Sequence, residues 1–279
     1  LQLRRSALSD ESKLATGEVL SITRWGDQLF SFTLTRPAGY KFEAGQFARI
    51  GLKSDQIPGI YHEDFNPEGQ EQIFRAYSIV SSIYDETLEF FSVTVPEGSF
   101  TSRLSHLKVG DEVLIDKTPF GFLTLSRYQQ PEPQDLWLIA TGTGAAPFIS
   151  MLQGFEVWSH YRRVVFIYGA RYQDDLVYFD QLESLAEPFW DQWDGEFIKV
   201  ASVTREIPAM DDICTNQRIT ELLGDDDLLD QIGFKPSSTS HVMLCGNPQM
   251  IKDVKQVLKD QGLSMNRRGV GNIAVENYW

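Results

Sequence analysis

Residues 136–152, LWLIATGTGAAPFISML, run from an apolar stretch through a glycine turn into a helical pattern. Leu136–Ala140 is apolar throughout. Gly142-Thr143-Gly144-Ala145-Ala146-Pro147 makes the turn, and Phe148, Ile149, Met151 and Leu152 recur at helical spacing. Strand, glycine turn and helix in that order aim backbone N–H groups and a helix N-terminus at a phosphate. The pattern departs from the dinucleotide fingerprint, because Pro147 stands where the third glycine is expected. It also begins near the middle of the chain, so a different unit precedes it.

That preceding unit reads as β structure. Short segments rich in Phe, Val, Ile and Thr recur between turn signals at Thr16–Thr23, Leu29–Thr35, Gln46–Leu52, Ala76–Ile79, Thr87–Val95 and Glu112–Ile115. Six short strands without a long helix predict an antiparallel β-barrel. Lys53–Ile73 interrupts them with a long polar loop carrying Pro58, Gly59, Asn66, Pro67 and Gly69. Tyr128–Asp135, YQQPEPQD, reads as a linker. The boundaries follow: an extension over 1–15, a barrel domain over 16–130 and an α/β domain over 131–279.

Beyond the linker the rhythm changes to alternating strands and helices. Leu136–Ala140, Val164–Tyr168, Phe197–Val203 and His241–Leu244 have the continuous apolar character of buried parallel strands. Helical patterns lie near Phe148–Ser159, Tyr178–Ala186, Arg218–Leu223 and Gln249–Gln261. A doubly wound parallel sheet of four or five strands is expected.

Composition removes several classes of function. The net charge is −14, and residues 131–279 hold 12 basic against 22 acidic side chains, which argues against nucleic acid as a partner. No apolar run approaches the ~20 residues that span a bilayer, and the first residues lack the apolar core of a signal peptide. Cys214 and Cys245 form no CxxC, and the four histidines show no metal-ligand spacing. A cytoplasmic protein with free thiols and no metal is expected, so any redox chemistry needs an organic cofactor.

Ligands of parallel sheets bind at the carboxyl ends of the strands. Reading those ends in order gives Thr141–Pro147, then Gly169-Ala170-Arg171-Tyr172, then Ser202–Glu206, then Cys245-Gly246-Asn247-Pro248. An acid after the second strand would read a ribose; Arg171 stands there instead. Arginine makes bidentate bonds to phosphate, which points to the 2′-phosphate of NADP, with Arg205 and Arg218 to complete the site. Taken singly, each arginine is more often an ordinary surface ion pair. Two of them directly following predicted strands favours the anion site. Cys245 reads either as a small buried apolar residue or as a thiol packed against a flat ring. In the first half, Arg75-Ala76-Tyr77-Ser78 groups a cation, a ring and a hydroxyl, and Gly98-Ser99-Phe100-Thr101-Ser102 reads as a second anion-binding turn before a helix. An ordinary capped helix is the plainer reading of that second segment.

Taken together, Arg75–Ser78, Gly98–Ser102, Gly142–Pro147, Cys245–Pro248 and the tail Val275–Trp279 resemble, in this order, the bacterial type of the ferredoxin/flavodoxin–NADP(H) reductase family. The resemblance spans Thr16 to Trp279. It implies an FAD-binding antiparallel barrel followed by an NADP-binding α/β domain, with FAD and NADP(H) as cofactors. Arg75 would pair with the FAD pyrophosphate, beside Ala76. Tyr77 would lie along the flavin, and Ser78 would bond near flavin N5. Gly98, Ser99, Thr101 and Ser102 would hold the pyrophosphate. Tyr278 would cover the other flavin face and must then move aside for nicotinamide; Trp279 would fold over the FAD adenine.

On the nicotinamide side the resemblance implies that Thr143, Gly144 and Cys245 line the pocket, with Gly142, Pro147, Gly246 and Asn247 in the same two turns. Arg171, Arg205 and Arg218 would hold the 2′-phosphate. Glu276 would relay a proton or order the tail. The implied reaction is hydride exchange with NADP(H) and single-electron exchange with ferredoxin or flavodoxin, carried out by a monomer. Carriers of this kind are acidic, so docking would need a basic patch such as Arg24, Arg49, Arg75 and Arg103. Two alternatives stay open: an NAD(P)H-dependent flavin or cytochrome reductase on the same fold, and a non-catalytic NADP-binding regulator.

Overall fold

A computed structural model describes residues 13–53, 72–96, 98, 100–129, 133–224 and 226–277. Ser99, Tyr278, Trp279, nearly all of the 1–15 extension, most of the Lys53–Ile73 loop and residues 130–132 of the expected linker lie outside the described residues. The chain divides into two compact units, Leu1–Gly121 and Phe122–Trp279.

The first unit contains β1 (Leu14–Arg24), β2 (Leu29–Thr35), β3 (Phe47–Lys53), β4 (Gln72–Ser78), β5 (Thr87–Val93), the one-turn helix α1 (Thr101–Leu104) and β6 (Glu112–Asp116). They form one antiparallel sheet in the order β4-β3-β6-β1-β2-β5. Just past β4, Ile79 bridges Phe90 and the Val80 N–H donates to the Glu89 carbonyl at 2.8 Å, which joins β4 to β5 and closes the barrel. Each predicted strand overlaps one of the six, but β4 begins four residues before the expected Ala76, and Lys53, Gln72 and Ile73, expected in the loop, are paired strand residues. Between Val19 and Ser21 the register of β1 slips against β2, and the bulged Leu20 turns outward. Inside, Phe30, Phe32, Leu34, Ile50, Phe90 and Ile115 are fully covered. Each such side chain contributes about 1.5–3 kcal/mol of transfer free energy.

The second unit comprises β7 (Asp135–Thr141), α2 (Ala146–Leu152), α3 (Phe155–His160), β8 (Arg163–Ala170), α4 (Leu182–Ala186), β9 (Glu196–Val203), β10 (Ile213–Thr215), α5 (Ile219–Gly224), α6 (Asp227–Ile232), β11 (Ser240–Gly246), α7 (Pro248–Asp260) and β12 (Ile273–Asn277). The sheet is wholly parallel, in the order β10-β9-β8-β7-β11-β12. Six strands replace the expected four or five. β10 has only three residues, too few to show a period, and β12 is the stretch expected to be a tail. The single helix expected over Phe148–Ser159 is two, divided where Gly154 caps α3. The one expected from Tyr178 starts as a helix only at Leu182, because Tyr178 has φ 71°. Among the described residues no helix is long and apolar enough to cross a membrane, and no cluster could hold a metal ion.

Candidate functional site

From β7 the chain winds outward through β8, β9 and β10, then returns to lay β11 and β12 on the other side of β7. The order therefore reverses between β7 and β11, and a crevice opens at the carboxyl ends of strands at such a reversal. Both glycine turns singled out from the sequence end at this point. Gly142–Ala145 forms a 3₁₀ turn that leads into α2, with no side chain capping it. Gly142 adopts φ 54°. A methyl group on Gly144 would sit 2.5 Å from the Cys245 carbonyl oxygen and 2.5 Å from the Gly246 Cα. One on Gly246, whose φ is 126°, would strike Thr141. The two turns thus cross backbone to backbone, which only glycine permits.

Hydrogen bonds lock the crossing. The Asn247 N–H donates to Thr141 Oγ1 at 2.8 Å. Asn247 Oδ1 in turn accepts from the Gln249 and Met250 N–H groups at 2.8 and 3.2 Å, capping α7, and Pro248 opens that helix. Pro147 is the second residue of α2, also in the first turn, where its missing N–H removes no helical bond. The third glycine of the fingerprint is thus replaced by a residue suited to starting a helix. Thr141 has a structural role that the sequence reading missed; its position directly before the turn was the available signal.

Cys245 is fully buried and pairs in register with Glu276 across β11 and β12. The Glu276 carboxyl is half-buried, and that burial raises its pKa above the ordinary carboxylate value. The Phe122 N–H bonded to it and the Arg127 charge pull the other way. Glu276 is therefore a strand residue beside the thiol. Thr143 lies in the 3₁₀ turn, partly exposed.

The three arginines sit on the same edge. Beyond the last paired residues of β8 and β9, the Thr204 N–H donates to the Ala170 carbonyl and the Arg205 N–H to the Arg171 carbonyl, at 3.1 and 2.9 Å. This extended ladder fixes Arg171 and Arg205 side by side. Ser202, buried at the end of β9, donates to the Gln217 carbonyl at 2.8 Å and tethers the residue before Arg218. All three arginines are exposed, and among the described residues no acid forms an ion pair with them. Surface ion pairing, the plainer account of these residues, does not occur among the described acids.

In the first unit, Arg75 and Ala76 are exposed on β4 while Tyr77 and Ser78 turn inward. Ser78 is 6% exposed and its Oγ has no hydrogen-bond partner. An orphaned buried hydroxyl costs about 1–3 kcal/mol, so an acceptor or donor brought by a ligand fits it. Tyr77 is nine-tenths covered, edge-on to Phe32 and Phe90 and tilted against Phe100. Its ring belongs to the barrel core, and burial pushes its phenol up to about 12. Gly98 precedes α1, but that helix is a single turn without a side-chain cap. Thr101 Oγ1 accepts from the Val95 N–H at 3.0 Å and the Ser102 hydroxyl donates to the Gly98 carbonyl at 2.6 Å. The segment is a hydroxyl-stitched turn with little helix dipole. Arg103, expected in a surface patch, is 4% exposed, because Phe100, Leu104 and Leu107 around it are core residues.

The residues present suit both groups that the sequence implied: a close glycine crossing and arginines without an ion pair among the described residues for NADP(H), and an unpartnered hydroxyl on the strand of an exposed arginine for FAD. Comparison with known proteins agrees. The family model for the oxidoreductase NAD-binding domain matches residues 138–256. The ferredoxin–NADP reductase of Pseudomonas aeruginosa is 38% identical over 262 residues, 92% of this chain and 93% of its own. The flavodoxin/ferredoxin–NADP reductase of Escherichia coli is 36% identical over 267 residues, 95% of this chain and 98% of its own. A solved ferredoxin NADP+ reductase from Neisseria gonorrhoeae, with bound FAD and NADP, matches with a TM-score of 0.80 at 32% identity, over 96% of this chain and 99% of its own. By sequence and by fold, the chain belongs to the ferredoxin–NADP reductase family.

Proposed function

We propose that this protein binds FAD on its barrel (residues 16–130) and NADP(H) on its α/β part (residues 131–279), and exchanges single electrons with ferredoxin or flavodoxin. The observation that carries this reading is the carboxyl edge of the parallel sheet. There a glycine turn crossing at Gly144 and Gly246 shares the strand ends with three arginines that no described acid neutralises. A dianionic 2′-phosphate suits those guanidinium groups, which hold it through charge-assisted, bidentate bonds.

Bound FAD would supply the step between two-electron hydride chemistry and one-electron transfer. The chain's residues bind and orient. Arg75 meets the pyrophosphate, with Gly98, Ser99, Thr101 and Ser102 beside it. Ser78 offers its hydroxyl to the flavin edge, and Tyr77 holds the end of β4 in register through the barrel core. Thr143, Gly144 and Cys245 form a shallow floor for the nicotinamide, with Pro147 and Asn247 fixing the two helices behind it. Arg171, Arg205 and Arg218 clamp the adenosine end. Glu276 relays a proton or orders the tail, and Tyr278 and Trp279 cover the flavin and the adenine. The same reading makes the protein a cytoplasmic monomer.

Stopped-flow reduction of the purified yellow protein tests it. NADPH is expected to bleach the flavin band at least tenfold faster than NADH, and ferredoxin or flavodoxin to restore it. Equal rates with the two nucleotides would move the protein to the NAD(P)H-dependent flavin or cytochrome reductases. A colourless preparation that takes up no FAD would end the reading.

A further inference from the structure

Past the ladder that sets Arg171 beside Arg205, the two strand-end loops are joined again. The Gln173 N–H donates to the Glu206 carboxylate. The Gln173 side-chain amide then engages the Ala209 backbone in both directions, accepting from its N–H at 2.9 Å and donating to its carbonyl at 3.4 Å. The Asp175 N–H donates to the Tyr172 carbonyl at 3.1 Å, which turns the first loop back on itself. Residues 171–175 and 204–209 are therefore one hydrogen-bonded unit with an arginine at the base of each loop. We infer that Gln173 and Glu206 form a latch that holds Arg171 and Arg205 as a single clamp, and so set the preference for a 2′-phosphorylated adenosine without touching it. The inference rests on the proposed phosphate role of those two arginines.

Electrostatics makes the latch more than a loop fastening. Glu206 follows Arg205 directly, and a carboxylate free to swing there would pair with an arginine and compete with phosphate. Bonded to the Gln173 N–H, the carboxylate is held on the loop backbone, and it forms no ion pair with either arginine. A clamp already ordered before the nucleotide arrives loses less conformational freedom on binding. Gln173 and Glu206 are thus positioning residues.

The two roles open to Glu206 predict opposite signs. As a mere nearby charge, its removal would strengthen binding of a phosphate. As a latch, Glu206→Ala weakens it, whereas Glu206→Gln keeps the accepting oxygen and preserves it. Titration calorimetry of the FAD-loaded protein with adenosine 2′,5′-bisphosphate and with ADP separates these. Glu206→Ala and Gln173→Ala are expected to weaken the bisphosphate about three- to tenfold, from the ordering of one or two side chains. ADP binding and the melting temperature should stay unchanged. In turnover, KM for NADPH should rise with kcat constant. Bisphosphate affinity that is unchanged or tighter in Glu206→Ala overturns the latch. Arg171→Ala serves as the control: if it too leaves bisphosphate affinity unchanged, the phosphate role of the arginines falls with it.

Discussion

At Glu276 the carboxyl faces a choice set by its surroundings. Burial against β11 favours the neutral acid, while the Phe122 N–H and Arg127 favour the anion, and burial prevails. A group whose pKa is raised on folding binds its proton more tightly in the folded state than in the unfolded chain. Its ionised form therefore costs stability above the folded pKa, and that cost disappears as pH falls below the ordinary carboxylate value. Glu276→Gln, which keeps an acceptor for the Phe122 N–H, should melt above the unaltered protein at pH 7. The gap should close towards pH 4. Melting curves at several pH values check this, and a gap that does not narrow would mean that the carboxyl is not held above its usual range. The same residue shows where sequence reasoning stops. Glu276 stood out as an acid near the chain end, but its partner Cys245 follows only from the register of two strands. Likewise Ser78 could be named from Arg75–Ser78, whereas its lack of a bonding partner is a property of the closed barrel. Tyr77 shows the same limit: its motif suggests a ring near a ligand, whereas its packing with Phe32, Phe90 and Phe100 follows only from the closed barrel.

Elements were legible in proportion to their length and regularity. All six barrel strands were visible because apolar alternation ran between glycine, proline and polar turns. The four long parallel strands were visible as buried apolar runs. β10 and β12 were not, since each is short and owes its place to a neighbour already in the sheet. α7 was read one residue late because its start depends on a cap rather than on periodicity. Asn247→Ala should remove the bonds to the Gln249 and Met250 N–H groups and cost about 1 kcal/mol of stability. Chemical denaturation measures it. The Thr141 bond uses the Asn247 backbone and survives the substitution, so a loss well above ~2 kcal/mol would show that the turn crossing depends on the side chain after all.

Across the molecule, charge is the awkward quantity. A chain of net −14 that exchanges electrons with an acidic carrier must present local positive charge. Of the four arginines considered for that purpose, Arg103 is buried. Arg49 lies 3.5 Å from Asp116 and over the Phe74 ring, and Arg24 donates to the Ser105 carbonyl at 2.5 Å. Arg24 keeps its charge, since its acceptor is a neutral carbonyl, and Arg75 is exposed, so two of the four can contribute and steering should be modest. The second-order rate with ferredoxin or flavodoxin should fall less than about tenfold between 20 and 300 mM salt, where strongly steered pairs lose far more. A rate indifferent to salt would remove electrostatic docking altogether.

The reversal of strand order at β7 also orders events in time. Asp135, at the start of β7, pairs with Arg163 on one side, 28 residues along, and with Ser240 on the other, 105 residues along. Closing the longer loop costs about 1.2 kcal/mol more in chain entropy, and contacts so distant in sequence form slowly. The winding from β7 to β9, which carries Arg171 and Arg205, needs only near neighbours. The crossing of Gly144 and Gly246 must wait for β11. The two arginine-bearing strand ends are thus joined through short-range pairings, whereas the glycine crossing depends on a strand brought back from a hundred residues away.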